Sequence, residues 1–187
     1  MKGILTLCLL VTGTLGAAGQ DVGMRLNTTT KGYSYESYTF PKDIQVFKMD
    51  KSRHTLTPKG LTMVQVWSLK DGAQSRFWDQ VDQIRKNWTE KGLTVLSVNF
   101  ENGSDFYRQR EDLAHFFKVR EKPDNFYFDA MGYVADFLKV PGFPTYFLVD
   151  EKGEVIFYTL GEDEDGVALL ETEIQLRLEK KVADGQP

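Results

Sequence analysis

The sequence predicts a single α/β domain in which a mixed β-sheet carries helices on both faces. Three observations lead there: a strand–helix–strand run over residues 61–100, a late hairpin over residues 145–160, and a final amphipathic helix over residues 163–181. A strand–helix–strand connection makes parallel neighbours and a hairpin makes antiparallel ones, so the two together give a mixed sheet that needs cover on each side. The 187 residues suit one ordinary domain.

The first segment stands apart from that domain. Met1 and Lys2 give a positive start, residues 4–18 are apolar apart from Thr and Gly, and Gly16, Ala17 and Ala18 are the small residues that a signal peptidase reads. Residues 1–19 are therefore expected to be a signal peptide, and the product periplasmic or secreted. The run falls short of the roughly 20 apolar residues of a membrane span, so no stable membrane insertion is expected after cleavage. The one cysteine, Cys8, lies inside this run, and the trimmed protein would hold no thiol. Asn-x-Ser/Thr triplets begin at Asn27, Asn87 and Asn102, and they matter only in a eukaryotic secretory route.

Residues 20–43 read as a linker passing into an extended edge segment, with Tyr33, Tyr35 and Phe40 placed to cover the body. Residues 44–49 then read as a strand, Asp50, Lys51 and Ser52 as a turn, and residues 54–57 as the returning strand of an N-terminal hairpin. Residues 61–67 (LTMVQVW) form the next strand. Over residues 71–91, Phe77, Val81, Ile84 and Trp88 recur at spacings of three and four, the stripe of a half-buried helix, and Gly92 ends it. Residues 93–100 (LTVLSVNF) have the β-branched content of a buried strand. A helix over residues 104–119 carries Phe106, Leu113, Phe116 and Phe117, and a short one covers residues 129–138. Residues 145–149 and 154–160 flank the turn Glu151, Lys152, Gly153 as a hairpin, and the last helix turns Val167, Leu170, Ile174 and Leu178 inward. The domain so defined spans residues 44–182, with 183–187 as a tail.

Composition and motifs exclude several functions. The net charge of −4, from 23 basic and 27 acidic residues, gives no electrostatic footprint for nucleic acid. His54 and His115 are the only histidines and neither sits in a metal-ligand spacing, so no metal is expected. The acidic run Glu162 to Asp165 lacks the alternating ligands of a calcium loop and reads as the charged start of a helix. Neither a phosphate-cradling glycine loop nor a Ser-His-Asp set is present, and no cofactor is expected.

Two stretches carry a resemblance. Residues 64–77 (VQVWSLKDGAQSRF) occupy the place of a strand ending in Phe-Trp, a loop, Cys-x-x-Cys and a helix; residues 140–157 (VPGFPTYFLVDEKGEVIF) look like the Pro-Thr strand, Asp-x-x-Gly turn and returning strand that close the same fold. The chain thus resembles the thioredoxin-like superfamily in its exported, TlpA-type (redoxin-like) form, over roughly residues 44–182. The resemblance implies a thioredoxin-like fold, a cis peptide before Pro144, and a polypeptide-binding groove beside it.

At the decisive positions the chain departs from that pattern. Asp71 and Gln74 stand where the two cysteines would be, and a slip of one residue finds no cysteine either. Disulfide exchange needs a thiolate, which a carboxylate cannot replace. Asp71 and Gln74 have the spacing of a capping box and read as a helix start. No residue is given a catalytic role. The expected function is that of a non-catalytic module binding an exported protein or peptide through Trp67, Ser68, Leu69, Lys70, Gly72, Phe143, Pro144 and Thr145. Two alternatives remain open: a thiol–disulfide oxidoreductase by descent whose redox activity is lost or independent of its own dithiol, and assembly through the aromatic segment from Tyr33 to Phe40.

Overall fold

A computed structural model describes residues 39–72, 75–101 and 106–183, with the backbone alone at 71, 72, 75, 106 and 107. The signal segment, Tyr33, Tyr35, Gln74, Asn27 and Asn102 lie outside the described residues. Among the described residues, seven strands form one sheet in the order β2-β1-β5-β4-β3-β6-β7. They are β1 (Gln45–Phe47), β2 (Arg53–Thr55), β3 (Thr62–Trp67), β4 (Thr94–Asn99), β5 (Phe126–Phe128), β6 (Thr145–Val149) and β7 (Val155–Leu160). The helices are α1 (Leu69–Gly72), α2 (Ser75–Trp88), α3 (Phe106–Phe116), α4 (Tyr133–Phe137) and α5 (Glu164–Ala183). β3, β4 and β5 run parallel, while β6, β7 and the β1–β2 hairpin are antiparallel to their neighbours.

Alternation along the strands divides the core. Val64 and Val66, with Leu96, Val98, Phe147 and Val149, face Val134 and Leu138 of the α4 region and Phe40, Ile44 and Leu56. Met63, Val95, Tyr146 and Leu148 face Val81 and Ile84 of α2 and Leu170, Ile174 and Leu178 of α5. The stripes read from the sequence are thus the faces that bury, because a period of two on strands and of 3.6 on helices leaves each element one apolar side. Gly92, at φ +107°, follows the one-turn 3₁₀ segment Thr89–Lys91 that ends α2, and its N–H returns to the Thr89 carbonyl.

Three features depart from the sequence reading. β5 falls in what the sequence leaves as connecting chain; its three residues are all buried and pair with β4, and Phe128 also pairs with Phe47 of β1. Helical backbone begins at Leu69 rather than Asp71. The third helix starts at Tyr133 instead of residue 129, since Asp129 lies ahead of it and accepts the Ala135 N–H at 2.9 Å. Ahead of β1, Thr39 bridges Glu154 and Phe40 is buried in the core.

Candidate functional site

The carboxyl ends of the parallel strands gather the β3–α1 junction, the chain after β4, the β5–α4 loop and the segment entering β6. Sites in open α/β sheets form at this end. The register Val66↔Thr145 sets the end of β3 beside the start of β6, so Ser68 and Pro144 share one end of the sheet. The Phe143–Pro144 peptide is cis. The Pro144 carbonyl accepts the Gly161 N–H at 2.8 Å, and Thr145 Oγ1 donates to the Gly142 carbonyl at 2.6 Å.

A buried polar network underlies this end, and it was not found in the sequence. Glu101, 7% exposed, follows β4 and accepts hydrogen bonds from Ser68 Oγ at 3.0 Å, from Asn99 Nδ2 at 3.1 Å and from the Leu69 N–H. Asn99 Nδ2 also reaches the Trp67 carbonyl at 3.3 Å, and Asn99 Oδ1 accepts from Gln109 Nε2 of α3 at 2.7 Å. Ser68 Oγ in turn accepts the Lys70 N–H at 3.1 Å. The first two N–H groups of α1 are therefore held by side chains of the protein itself. A buried carboxylate is tolerated only when its acceptor sites are filled, and here three donors converge on it. The polar residues Asn99 and Glu101 at the end of an apolar strand were the available signal.

Trp67 is corrected from groove to core. It is wholly buried, its Nε1 donates to Ser97 Oγ at 3.0 Å, and its ring meets Trp78 edge-on at 4.8 Å. Phe116, Phe117 and Phe126 complete the cluster. The cause is parity: Met63, Gln65 and Trp67 point to one face of β3, and α2 and α3 cover it. Ser68, Pro144 and Thr145 are also buried, so they shape the site from beneath. Of the expected groove residues with described side chains, Leu69 and Phe143 are half-buried and Lys70 is exposed. The Gly72 and Asp71 backbone is helical, and the Asp71 carboxylate lies outside the described residues, as does Gln74.

Phe143 continues into an apolar surface. Its ring lies 6.0 Å from that of Phe100, which is packed so closely on Gly132 that a Cβ there would come within 3.2 Å of the ring. Beyond Gly132, Met131, Tyr133 and Phe137 are exposed at 60, 51 and 43%. Asp129, buried beneath α4, has its carboxyl pushed above the usual range by burial, against the hydrogen bonds from backbone N–H groups of the helix start. Among the described residues no three His, Cys, Asp or Glu side chains cluster as metal ligands, and no helix is long and apolar enough to cross a membrane.

His54 lies elsewhere, on β2, stacked on Tyr127 at 4.9 Å. Burial, with the nearby charges of Lys48 and Lys59, lowers its pKa from 6.5. His115 is an exposed residue of α3.

Solved structures share this architecture. The DsbE protein of Chlorobium tepidum superposes with a TM-score of 0.62 at 20% identity, over 75% of this chain and 98% of that one. The exposed lipoprotein thioredoxin of Streptococcus pneumoniae gives 0.52 at 18% identity, over 70% and 98%. StoA of Bacillus subtilis gives 0.52 at 17%, over 73% and 95%. No protein-family model and no curated protein sequence matches the chain. At these identities the likeness shows the fold alone: a thioredoxin-like α/β fold.

Proposed function

We propose that this chain is an exported thioredoxin-like protein that holds extended polypeptide at the Phe143–Pro144 end of its sheet and does not exchange disulfides. The observation that carries the reading is a substitution of parts. The sole cysteine lies at position 8, inside the apolar leader, and Asp71 and Gln74 stand at the dithiol positions. The N–H groups that open α1 meet the Glu101 carboxylate and Ser68 instead. A thiolate at such a place draws its low pKa from free helix-start donors, so both the nucleophile and part of its support are replaced.

Beside that end lies the apolar surface of Phe143, Phe100, Met131, Tyr133 and Phe137. An extended segment could bind there by main-chain pairing and by apolar side chains seated against the aromatic rings. Phe143→Asp places a charge on this surface, and because the Phe143 ring also packs against the core, the variant is compared once its circular dichroism matches that of the wild type. Affinity capture from the exported fraction, comparing wild type with this variant, tests the reading. Loss of specific co-purifying chains is expected; the same set on both proteins would end it. Insulin reduction by the purified chain is expected at background, and turnover above it would restore the oxidoreductase alternative.

A further inference from the structure

We propose that the end of the sheet opposite Pro144 docks the protein on an anionic phospholipid membrane. Two stretches build this surface: residues 48–53 (KMDKSR) at the turn of the N-terminal hairpin, and residues 118–124 (KVREKPD) between α3 and β5. β1 is antiparallel to β5, with Phe47 beside Phe128, so the chain leaving β1 runs toward the start of β5. Phe47 and Met49 pack there against the same aromatic cluster as Phe116 and Phe117. That contact sets the two stretches side by side. Together they carry six cations, Lys48, Lys51, Arg53, Lys118, Arg120 and Lys122, against three carboxylates, on a chain whose net charge is −4.

The packing holds these charges at the surface. Arg53 lies over the Phe47 ring at 6.0 Å and Arg120 over the Phe116 ring at 5.3 Å. Arg120 is half-buried and the other five are exposed. Asp50, one of the three acids, is engaged by its own turn, accepting the Ser52 N–H at 2.9 Å and the Ser52 hydroxyl at 2.6 Å. Val119, between Lys118 and Arg120, is 85% exposed.

The shape selects the occupant. Arg53 sits on the side of α2 and α3 with Phe47, whereas Lys48 lies on the other side, where its charge acts on His54. A rim charged on both sides suits a broad anionic field, while a bound polypeptide segment needs a groove or a strand edge. A valine flanked by cations matches the boundary between headgroup phosphate and acyl chain. The rest of the molecule sets the orientation. α5 begins with Glu164 and Asp165 just after Gly161, whose N–H bonds the Pro144 carbonyl. It ends with Lys180 and Lys181, past Leu178, which lies against Gly92 at the start of β4. An anionic membrane therefore repels the Pro144 end and attracts the opposite one. The association is peripheral, and it stands independently of the polypeptide surface at Phe143.

Vesicle flotation of the protein purified from the exported fraction tests this. Binding is expected on mixed phosphatidylcholine–phosphatidylglycerol vesicles and not on phosphatidylcholine alone. Each Lys or Arg near an anionic surface strengthens partition about fivefold, so Lys48→Gln/Lys118→Gln/Lys122→Gln should weaken it about a hundredfold. Salt at about 1 M, where screening shortens to about 3 Å, should abolish it. Arg76→Gln/Arg108→Gln/Lys139→Gln, which removes the same charge elsewhere on the molecule, should bind as the wild type does. Equal loss in both triple variants would overturn the proposal, because net charge rather than this surface would be acting. Equal binding to neutral vesicles would overturn it as well. So would retention on polyglutamate without partition onto phosphatidylglycerol, since the partner would then be an acidic polypeptide.

Discussion

Glu101 shows how one side chain can define an end of a sheet. It joins the β3–α1 junction to β4 through Ser68, the Leu69 N–H and Asn99. Glu101→Ala removes the acceptor of three hydrogen bonds, Asn99 Nδ2 keeping the Trp67 carbonyl, and urea unfolding should show a loss of about 3 kcal/mol, from roughly 1–3 kcal/mol per unsatisfied group with partial relaxation. Glu101→Gln keeps the shape and one carbonyl acceptor, so its loss should be about half as large. At His54 the folded state favours the neutral ring, chiefly through burial. Its folded pKa lies below its unfolded value, so its contribution is present above pH 6.5 and is lost as pH falls through the folded pKa. An NMR titration should place the His54 midpoint below 6.5, and His54→Gln should flatten this part of the pH–stability curve. None of the Glu101 network could be read from composition. Its partners meet because β3 and β4 lie side by side, a relation that pairs Trp67 with Asn99 and is not local in sequence.

Long elements declared themselves through their periods. Val81 and Ile84 on α2, and Leu170, Ile174 and Leu178 on α5, bury as their spacing requires. The Pro144 loop was legible too, because a Gly-Phe-Pro-Thr run entering an apolar strand is a specific pattern. β5 was not legible: three apolar residues after Pro123, Asp124 and Asn125 carry no period, and only pairing on both sides makes them a strand. Close helix–sheet approach was equally invisible. Gly166 in the first turn of α5 packs so tightly that a Cβ would collide with Thr159 Oγ1 and the Asp163 carboxylate. Alanine normally stabilises a helix by up to about 1 kcal/mol over glycine. Gly166→Ala should instead lower stability by about 1–3 kcal/mol in chemical denaturation, as an overpacked contact does.

For the molecule as a whole, the fold and the missing cysteine pair come from separate parts of the sequence. Apolar periodicity builds the scaffold over nearly all of residues 39–183, while the lack of a dithiol turns on Asp71 and Gln74. Thermal unfolding of the chain without its leader should give the same midpoint with and without reductant, since no sulfur pair would remain to open. A shift larger than about 2 °C, the scale of a change near 1 kcal/mol, would contradict this.

The pairing of β3 with β6 has a bearing on when the protein takes shape. The central strand has Thr62 bonded beside Val149 and Val66 beside Thr145, partners far apart along the chain. Contacts of such high sequence separation form late, because the intervening loop must close first. A ribosome or secretion channel that has released only the first two-thirds of the polypeptide holds a β3 still lacking one of its two flanking strands. The chain accordingly cannot close its sheet until its last third has emerged.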